Sequence, residues 1–335
     1  MPLSAERPVS LTMEYYAGVD LGATNVRGAV ATRNGEFLSV SRRPTPQGPT
    51  GIDVTEAVLS VLREACSDGG VDPTQVRAAA IGSFGPFDLA AGTVESPANL
   101  PDSVGTIPLV GPVSELIGSD RVRLHNDTTA GVIGERFHAD ANPDDMVYLT
   151  ISSGIGAGVV VDGHVLSGWD GNAGEIGHIT LDPEDRRTCG CGHDGHWEAY
   201  CSGKNIPDYA RLLYEDAYGM ETALPLEDPD FSARDVFERA ADDEFAAHVV
   251  SQLGHWNAMG VANLVHAYAP LVVVVGGAVA TNNPDQVLDP VRERLPEMVM
   301  VNVPEVRLTT LGNEVGIRGA VASAITGGTG DRERV

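Results

Sequence analysis

Lysine is almost absent from this chain: Lys204 is the only lysine among 335 residues. The chain has 22 lysines and arginines against 47 aspartates and glutamates, which gives a formal net charge of −25. Such a charge repels phosphate backbones and anionic membrane surfaces, because binding to both depends mainly on basic side chains. We therefore expect neither a nucleic-acid partner nor a membrane partner.

An excess of carboxylates with so little lysine is typical of halophilic proteins. A dense carboxylate surface holds hydrated cations, and molar salt shortens the Debye length to about 3 Å, which weakens self-repulsion. A genome rich in G and C favours arginine, but this alternative explains only the missing lysines. The composition therefore predicts a halophilic protein.

Long apolar runs are also missing. No stretch reaches the roughly 18 to 20 apolar residues that span a bilayer, and residues 1–14 lack the apolar centre of a secretion signal. Four cysteines are too few to cross-link a chain of this length. We expect a cytoplasmic protein with two domains of about 150 residues each.

Two segments share the pattern strand, glycine-rich turn, strand: residues 15–30 and residues 146–163. Each predicts a β-hairpin with a small, polar tip. Their repetition predicts a duplicated α/β fold in which one turn from each half faces a shared ligand.

The rest of each half alternates helices and strands, as the spacing of apolar residues indicates. The predicted helices cover 52–65, 128–138 and 249–268, the predicted strands 76–81, 121–125 and 271–275, and a predicted surface loop 219–229.

The first turn is suited to a phosphate. Gly22 lets the backbone approach an anion closely, Thr24 and Asn25 offer side-chain donors, and Asp20 can hold Mg²⁺ or its water shell. The alternative is a hairpin turn that needs glycine only for its conformation.

The second turn supplies Ser152, Ser153, Gly154 and Gly156 in a similar way. Two such turns in this order favour a phosphate-binding function. The chain has no GxxxxGK[ST] sequence, and Lys204 is expected to lie far from either turn, so a P-loop is excluded.

A third cluster has the spacing of a metal site. His178, Cys189, Cys191 and His196 fall within 19 residues and could close around one tetrahedral Zn²⁺. The alternative is a pair of ordinary buried thiols. The segment is poor in apolar residues, so a metal would supply much of its stability.

These segments resemble the ROK family of sugar kinases and repressors, within the actin-like ATPase superfamily. The likeness covers nearly the whole chain. Bacterial and archaeal glucokinases are the most similar members of the family. The acidic composition suggests that this chain is a haloarchaeal protein. The likeness rests on residues 20–29, 150–163, 175–178 and the CxCGxxG motif with its Trp-Glu pair, and on residues 82–86, 126–127 and 276–277.

The resemblance implies a two-lobed actin-like α/β fold, a duplicated ribonuclease H-like unit with a cleft between the lobes. The N-terminal lobe would cover 14–128, with a C-terminal helix at 314–328 packing back on it. The C-terminal lobe would cover 129–313 and carry the zinc-binding loop 178–196. By analogy, the chain would form a homodimer or homotetramer.

The resemblance also assigns roles. Asp127 would be the general base that takes the proton of a sugar hydroxyl as it attacks the γ-phosphate of ATP, with Mg²⁺ on the phosphates. The sugar would be bound by Asn99, Asn126, Asp127, Glu175, His178 and Glu198. The nucleotide would be bound by Gly22, Thr24, Ser153, Gly154, Gly276 and Gly277, with Asp20 and Asn25 of the first turn.

The chemistry read from the residues agrees with this assignment. Phosphoryl transfer needs positioning and charge neutralisation more than covalent catalysis. Asp127 begins a predicted helix, whose dipole favours an ionised base, although an aspartate there is also a common N-cap. His178 follows Glu175 by three residues, so one ring nitrogen could bind zinc while the other meets the sugar.

The chain departs from the family at one metal ligand, because His196 stands where a third cysteine is usual. His193 and Cys201 are competitors for that place. Cys66 is expected to fill the core.

Several functions remain open. Glucose is the expected substrate, with fructose and N-acetylmannosamine as rivals, because residues 82–86 also resemble a fructokinase loop. A transcriptional repressor is disfavoured, since only about 14 residues precede the first strand and the charge opposes DNA binding. A sugar-binding protein without catalysis is disfavoured by Asp20, Asp127 and both turns.

Overall fold

The structure is a computed structural model that describes residues 13–217 and 219–334. The expectation about a secretion signal concerns mainly residues 1–12, which lie outside the described residues.

The strands are β1 (Tyr15–Leu21), β2 (Asn25–Thr32), β3 (Phe37–Pro44), β4 (Val76–Ser83), β5 (Phe87–Asp88), β6 (Thr93–Val94), β7 (Ile107–Pro108), β8 (Val122–Asn126), β9 (Met146–Ile151), β10 (Ile155–Val161), β11 (His164–Val165), β12 (Val272–Gly276) and β13 (Glu305–Leu308). The helices are α1 (Gly51–Asp68), α2 (Val110–Ile117), α3 (Asp127–His138), α4 (Glu198–Cys201), α5 (Ile206–Asp216), α6 (Ala233–Arg239), α7 (Glu244–Tyr268), α8 (Ala278–Asn282), α9 (Pro284–Met298) and α10 (Val315–Thr326).

Two five-stranded sheets have the same topology. The first has the order β3-β2-β1-β4-β8 and the second β11-β10-β9-β12-β13. In each sheet the first three strands are antiparallel and the last three are parallel. The repeated order confirms the predicted duplicated α/β fold, and both predicted hairpins are present as β1–β2 and β9–β10.

The predicted helices and strands are confirmed, with small differences at their ends. The long helix α7 begins at Glu244 rather than at residue 249, because the side chain of Asp243 caps it by accepting a hydrogen bond from the N–H of Ala246 at 2.9 Å. Residues 219–229 contain neither helix nor strand, as predicted.

Helix α3 lies between the two sheets and contains two glycines, which have low helix propensity. Close packing explains both. A Cβ on Gly131 would lie 2.5 Å from the ring of Tyr148 in the second sheet, and one on Gly134 would lie 2.9 Å from Gly319 of α10. These glycines let α3 approach its neighbours.

The C-terminal helix α10 packs on the first sheet. Gly18 of β1 faces it, since a Cβ there would lie 2.7 Å from the side chain of Val321. Ile317 and Ile325 of α10 join Ile133 of α3 in one buried cluster. Because α3 contacts both sheets, the lobe boundaries at 128 and 313 remain predictions.

Arg136 joins the end of α3 to both halves. Its side chain is fully buried and donates hydrogen bonds to the carbonyl oxygens of Pro143, Gly163 and Thr329 at 2.9 to 3.0 Å. None of the helices within 13–217 and 219–334 has the length and apolar character needed to cross a membrane.

Candidate active site

The chemistry-bearing residues of the first sheet lie at one edge. Asp20 of β1 pairs in register with Gly82 of β4, and Ser83 pairs with Asn126 of β8. These strands are parallel, so their carboxyl ends meet at the same edge, where ligands bind in open α/β sheets.

Asp127 is the first residue of α3, and Asn126 is its N-cap. The Oδ1 of Asn126 accepts hydrogen bonds from the backbone N–H and the hydroxyl of Thr128 at 2.9 and 2.7 Å. The alternative that Asp127 serves as the N-cap is therefore wrong. Capping uses only the oxygen of the Asn126 side chain, and its amide group can still donate to a ligand.

Asp127 is exposed to solvent, although protein atoms surround its carboxyl at longer range. Desolvation raises its pKa to about 6, with smaller contributions from the charges of Asp20 and Glu175, while a hydrogen bond from the N–H of Thr128 opposes the shift. A carboxylate with this pKa can accept a proton near neutral pH.

The start of α3 and the segment before Glu175 both pack closely against strand β10. A Cβ on Gly158 would lie 2.0 Å from the carbonyl oxygen of Thr128, and one on Gly174 would lie 1.9 Å from that of Ala157. The hydroxyl of Thr128 also donates to the Ala157 oxygen at 3.0 Å. Glycine is therefore required at both positions for the start of α3 and the Glu175 segment to lie against β10.

Thr45 stabilises the first turn, because its hydroxyl donates a hydrogen bond to the carbonyl oxygen of Gly22 at 2.6 Å. Thr24 is exposed, and its hydroxyl is available to a phosphate. The Oδ1 of Asn25 accepts from the Nε of Arg42 at 3.0 Å, so only its amide group remains to donate as expected.

Asp20 forms an ion pair of 2.6 Å with Arg27. Burial raises the pKa of Asp20, and Arg27 opposes that shift. Arg27 was not predicted as a site residue, although the hairpin pairing places it directly opposite Asp20. Gly316, at the start of α10, lies against the other oxygen of this carboxylate.

The second turn and the glycine pair lie at one edge of the second sheet. Gly276 pairs in register with Thr150 on the parallel neighbouring strand β9. Gly277 has a positive φ of 88°, and a Cβ there would lie 2.5 Å from the carbonyl oxygen of Ile151. Ser153 is exposed at the tip of the turn. Backbone and hydroxyl donors are thus close together there.

Glu198 contacts this same turn. Its Oε2 accepts a hydrogen bond from the N–H of Ile155 at 2.7 Å and lies beside Gly154.

The structure corrects the expected position of Lys204. The N–H of Gly203 donates to the carbonyl oxygen of Ser152 at 2.6 Å. Lys204 therefore follows a residue in direct contact with the second turn, and the expectation that it lies far from both turns is wrong. The long sequence separation between Lys204 and the second turn was misleading, because α4 brings the chain back to the end of β9.

The predicted metal ligands come together. Ligand atoms of His178, Cys189, Cys191 and His196 all lie within 4.8 Å of one another. The Nδ1 of His178 is 3.6 Å from the Sγ of Cys189, and the Nδ1 of His196 is 3.2 Å from the Sγ of Cys191. Two imidazoles and two thiols are the donors that zinc prefers.

The two competitors for the fourth position differ from these ligands. Cys201 is buried, and its thiol lies 3.6 Å from the carbonyl oxygen of Leu253. His193 is exposed, 3.7 Å from the Sγ of Cys191, and is not part of the four-residue group.

The second ring nitrogen of His178 faces Glu175. Its Nε2 lies 3.8 Å from the Oε2 of Glu175, on the same short helical turn. Burial raises the pKa of Glu175, which the charge of His178 opposes. One side chain thus links the four predicted metal ligands to a predicted sugar ligand.

No hydrogen bond connects Asn99, a predicted sugar ligand, to the other predicted site residues. Asn99 is exposed in the loop between β6 and β7, and within the described chain its side chain makes no hydrogen bond. The structure instead brings Asn172 to the loop of residues 82–86, because a Cβ on Gly85 would lie 3.2 Å from its Oδ1. Asn172 was not predicted as a site residue, because the signals in its sequence segment are the glycines and Glu175.

Comparison with known proteins gives consistent results. The model of the ROK family matches residues 16–326. A glucokinase from Aeropyrum pernix is 35% identical over 323 residues, covering 93% of this chain and 97% of the relative. A glucokinase from Pyrobaculum calidifontis is 35% identical over 318 residues, covering 93% and 95%.

Solved structures agree with these relatives. A ROK hexokinase from Thermus thermophilus has a TM-score of 0.79 and 32% identity, covering 92% of this chain and 97% of that one. A ROK glucokinase from Streptomyces griseus, solved in complex with glucose and AMPPNP, has a TM-score of 0.72 and 28% identity, covering 92% and 99%. The predicted two-lobed actin-like fold is confirmed.

Proposed function

The chain belongs to the ROK family, and we propose that it is a sugar kinase that transfers the γ-phosphoryl group of ATP to glucose. The main observation in support of this function is the position of Asp127, a carboxylate with a raised pKa at the start of α3. It lies at the sheet edge that also holds Asp20 and the first glycine-rich turn.

Asp127 acts as the general base. It accepts the proton of the sugar hydroxyl while the hydroxyl oxygen forms a bond to the γ-phosphorus, the bond to the β-γ bridging oxygen breaks, and ADP leaves. The proton then passes from Asp127 to solvent. The free amide of Asn126 and the carboxylate of Glu175 orient the sugar.

The nucleotide phosphates lie between the two turns. Thr24 and Ser153 supply exposed hydroxyls, and Gly277 lets the backbone come close. Magnesium, when bound, neutralises phosphate charge. Asp20 would hold it or its water shell, with Arg27 fixing the orientation of the carboxylate.

The four-residue cluster binds zinc in this proposal. Zinc held by these four residues would have a structural role: it would order the loop and fix the ring of His178, whose other ring nitrogen faces Glu175. The reaction itself needs no contact with this metal.

Further properties complete the proposal. The chain acts in the cytoplasm as a homodimer or homotetramer, and its acidic surface requires molar salt. Light scattering in molar KCl measures the oligomeric state.

Substrate choice is tested by a coupled assay of ADP formation with Mg-ATP in molar KCl. Glucose, fructose, mannose and N-acetylmannosamine are compared at matched concentrations. We expect the highest kcat/KM with glucose. A higher value with another sugar would reassign the substrate, and turnover of none would refute the kinase function.

A further inference from the structure

A cavity of about 740 Å³ opens at the edge of the first sheet opposite the active site. It is bordered by the amino ends of β4 and β8 and by the C-terminal end of α10. Asp20 and Asn126 lie at the carboxyl ends of β1 and β8, so this cavity is distinct from the candidate active site. Its volume suits a small organic ligand.

Arginines dominate the charge of this cavity, although the whole chain carries a net charge of −25. Its charged lining residues are Arg33, Arg77, Arg121, Arg123, Glu14 and Asp120. Four guanidinium groups against two carboxylates give a local excess of positive charge.

Two of these arginines share one carboxylate. Glu14 forms ion pairs with both Arg33 and Arg77. By contrast, Arg121 and Arg123 form no ion pair with any carboxylate in the described part of the chain. Their guanidinium groups are exposed and can bind a ligand.

A guanidinium group matches a phosphate oxygen pair through two parallel hydrogen bonds. The lining also includes Tyr16 and, on α10, Ala324 and Ile325, which are largely buried and present a small apolar surface to the cavity. A phosphate with an organic substituent therefore fits both the charge and the size of the cavity, whereas inorganic phosphate would leave most of it unfilled.

We propose that this cavity binds a phosphate monoester, with Arg121 and Arg123 holding the phosphate and the α10 side holding the organic part. The same chemistry is offered by a sugar phosphate and by a nucleoside monophosphate. The site is separate from the catalytic cleft and does not depend on the proposed function.

The test is equilibrium binding of glucose 6-phosphate, AMP and inorganic phosphate, each to protein whose cleft is saturated with glucose and an ATP analogue. We expect one of the two monoesters to bind at least tenfold more tightly than inorganic phosphate. The preferred monoester identifies the source of the ligand. Equal binding of all three probes, or binding of none, would overturn the proposal.

Two double variants that each remove two positive charges distinguish binding at this site from nonspecific attraction to arginine. Arg121→Gln with Arg123→Gln should weaken binding of the preferred monoester at least tenfold, with kcat unchanged. The control is Arg63→Gln with Arg234→Gln, at exposed positions elsewhere on the surface, and should leave binding unchanged. An equal loss in both pairs would contradict the proposed site.

Discussion

The Oε2 of Glu198 accepts a hydrogen bond of 2.7 Å from the backbone N–H of Ile155. Glu198 begins α4, two residues after the metal-cluster ligand His196, and Ile155 directly follows the second glycine-rich turn. One hydrogen bond therefore joins the segment that carries the proposed zinc ligands to the turn proposed to bind the nucleotide phosphates. Loss of the metal should disturb binding of both substrates.

The first prediction concerns the metal. Cys191→Ser should lower the zinc content from roughly one ion per chain to near zero, since a tetrahedral site needs all its ligands. The KM for glucose should rise about 10- to 100-fold, as His178 loses its orientation. Metal analysis and steady-state kinetics measure both effects.

Cys201→Ser is the matched control, because that thiol contacts the Leu253 carbonyl oxygen instead of the cluster. It should keep its zinc. Zinc retained by Cys191→Ser, or lost equally from both variants, would show that the cluster is not the site.

The second prediction is a pH profile. Because desolvation and neighbouring charges raise the pKa of Asp127 to about 6, the proton-accepting form is lost as the pH falls through that value. We expect log kcat/KM for glucose to rise with unit slope below about pH 6 and to level off above it.

Phosphate groups of ATP titrate at about pH 6 as well, so a control variant is needed. Glu175→Gln removes a negative charge that raises the pKa of Asp127. Its profile should therefore bend at a lower pH than that of the wild type. A bend that stays in place would assign the titration to the nucleotide.

Much of this site was predictable from sequence because its residues follow strand ends. Asp20, Asp127 and Gly276 each lie at or directly beside the end of a strand, and parallel strands bring such positions to one edge of each sheet. The four-residue group was predictable for a different reason: its members lie close in the chain, although the spacing left His193 and Cys201 as competitors until the structure grouped His196 with the other three.

Contacts that depend on tertiary structure were not predictable. The sequence could not show that α4 returns Gly203 to Ser152, or that Arg42 occupies the oxygen of Asn25. The Asp20–Arg27 ion pair is an intermediate case, since the hairpin register alone places the two residues opposite each other.

The third prediction concerns the packing of α10 on α3. A Cβ on Gly319 would lie 1.9 Å from the carbonyl oxygen of Ala130, a backbone atom that cannot rotate away. Gly319→Ala should lower the free energy of unfolding by about 1–3 kcal/mol. Denaturant unfolding measures the change.

Gly111→Ala in α2 is the matched control, because no atom lies within 4 Å of a Cβ built there. It should be neutral or stabilising by about 0.4–1 kcal/mol, since alanine restricts the unfolded chain. Equal destabilisation by both substitutions would argue against close α3–α10 packing.

The fourth prediction concerns salt. With a net charge of −25, self-repulsion should loosen the fold until molar KCl screens it. Both kcat/KM and the unfolding temperature should rise from 50 mM to 2 M KCl. Full activity and stability at 50 mM would refute the halophilic interpretation and leave the kinase function intact.

The central claim is that Asp127 is the base of a glucose kinase, and the most direct measurement is kcat for Asp127→Asn with glucose and Mg-ATP. Asparagine keeps the shape but accepts no proton, so kcat should fall about 10²- to 10⁴-fold. Asp285→Asn, in the first turn of the distant helix α9, should match the wild type.

Folding of the Asp127→Asn variant is checked at pH 8. A raised carboxyl pKa means that the folded state loses stability as the pH rises from the ordinary value of that group towards about 6. The neutral amide avoids this loss, so the variant should unfold no earlier than the wild type. A folded Asp127→Asn variant with a kcat within threefold of the wild-type value would contradict the account.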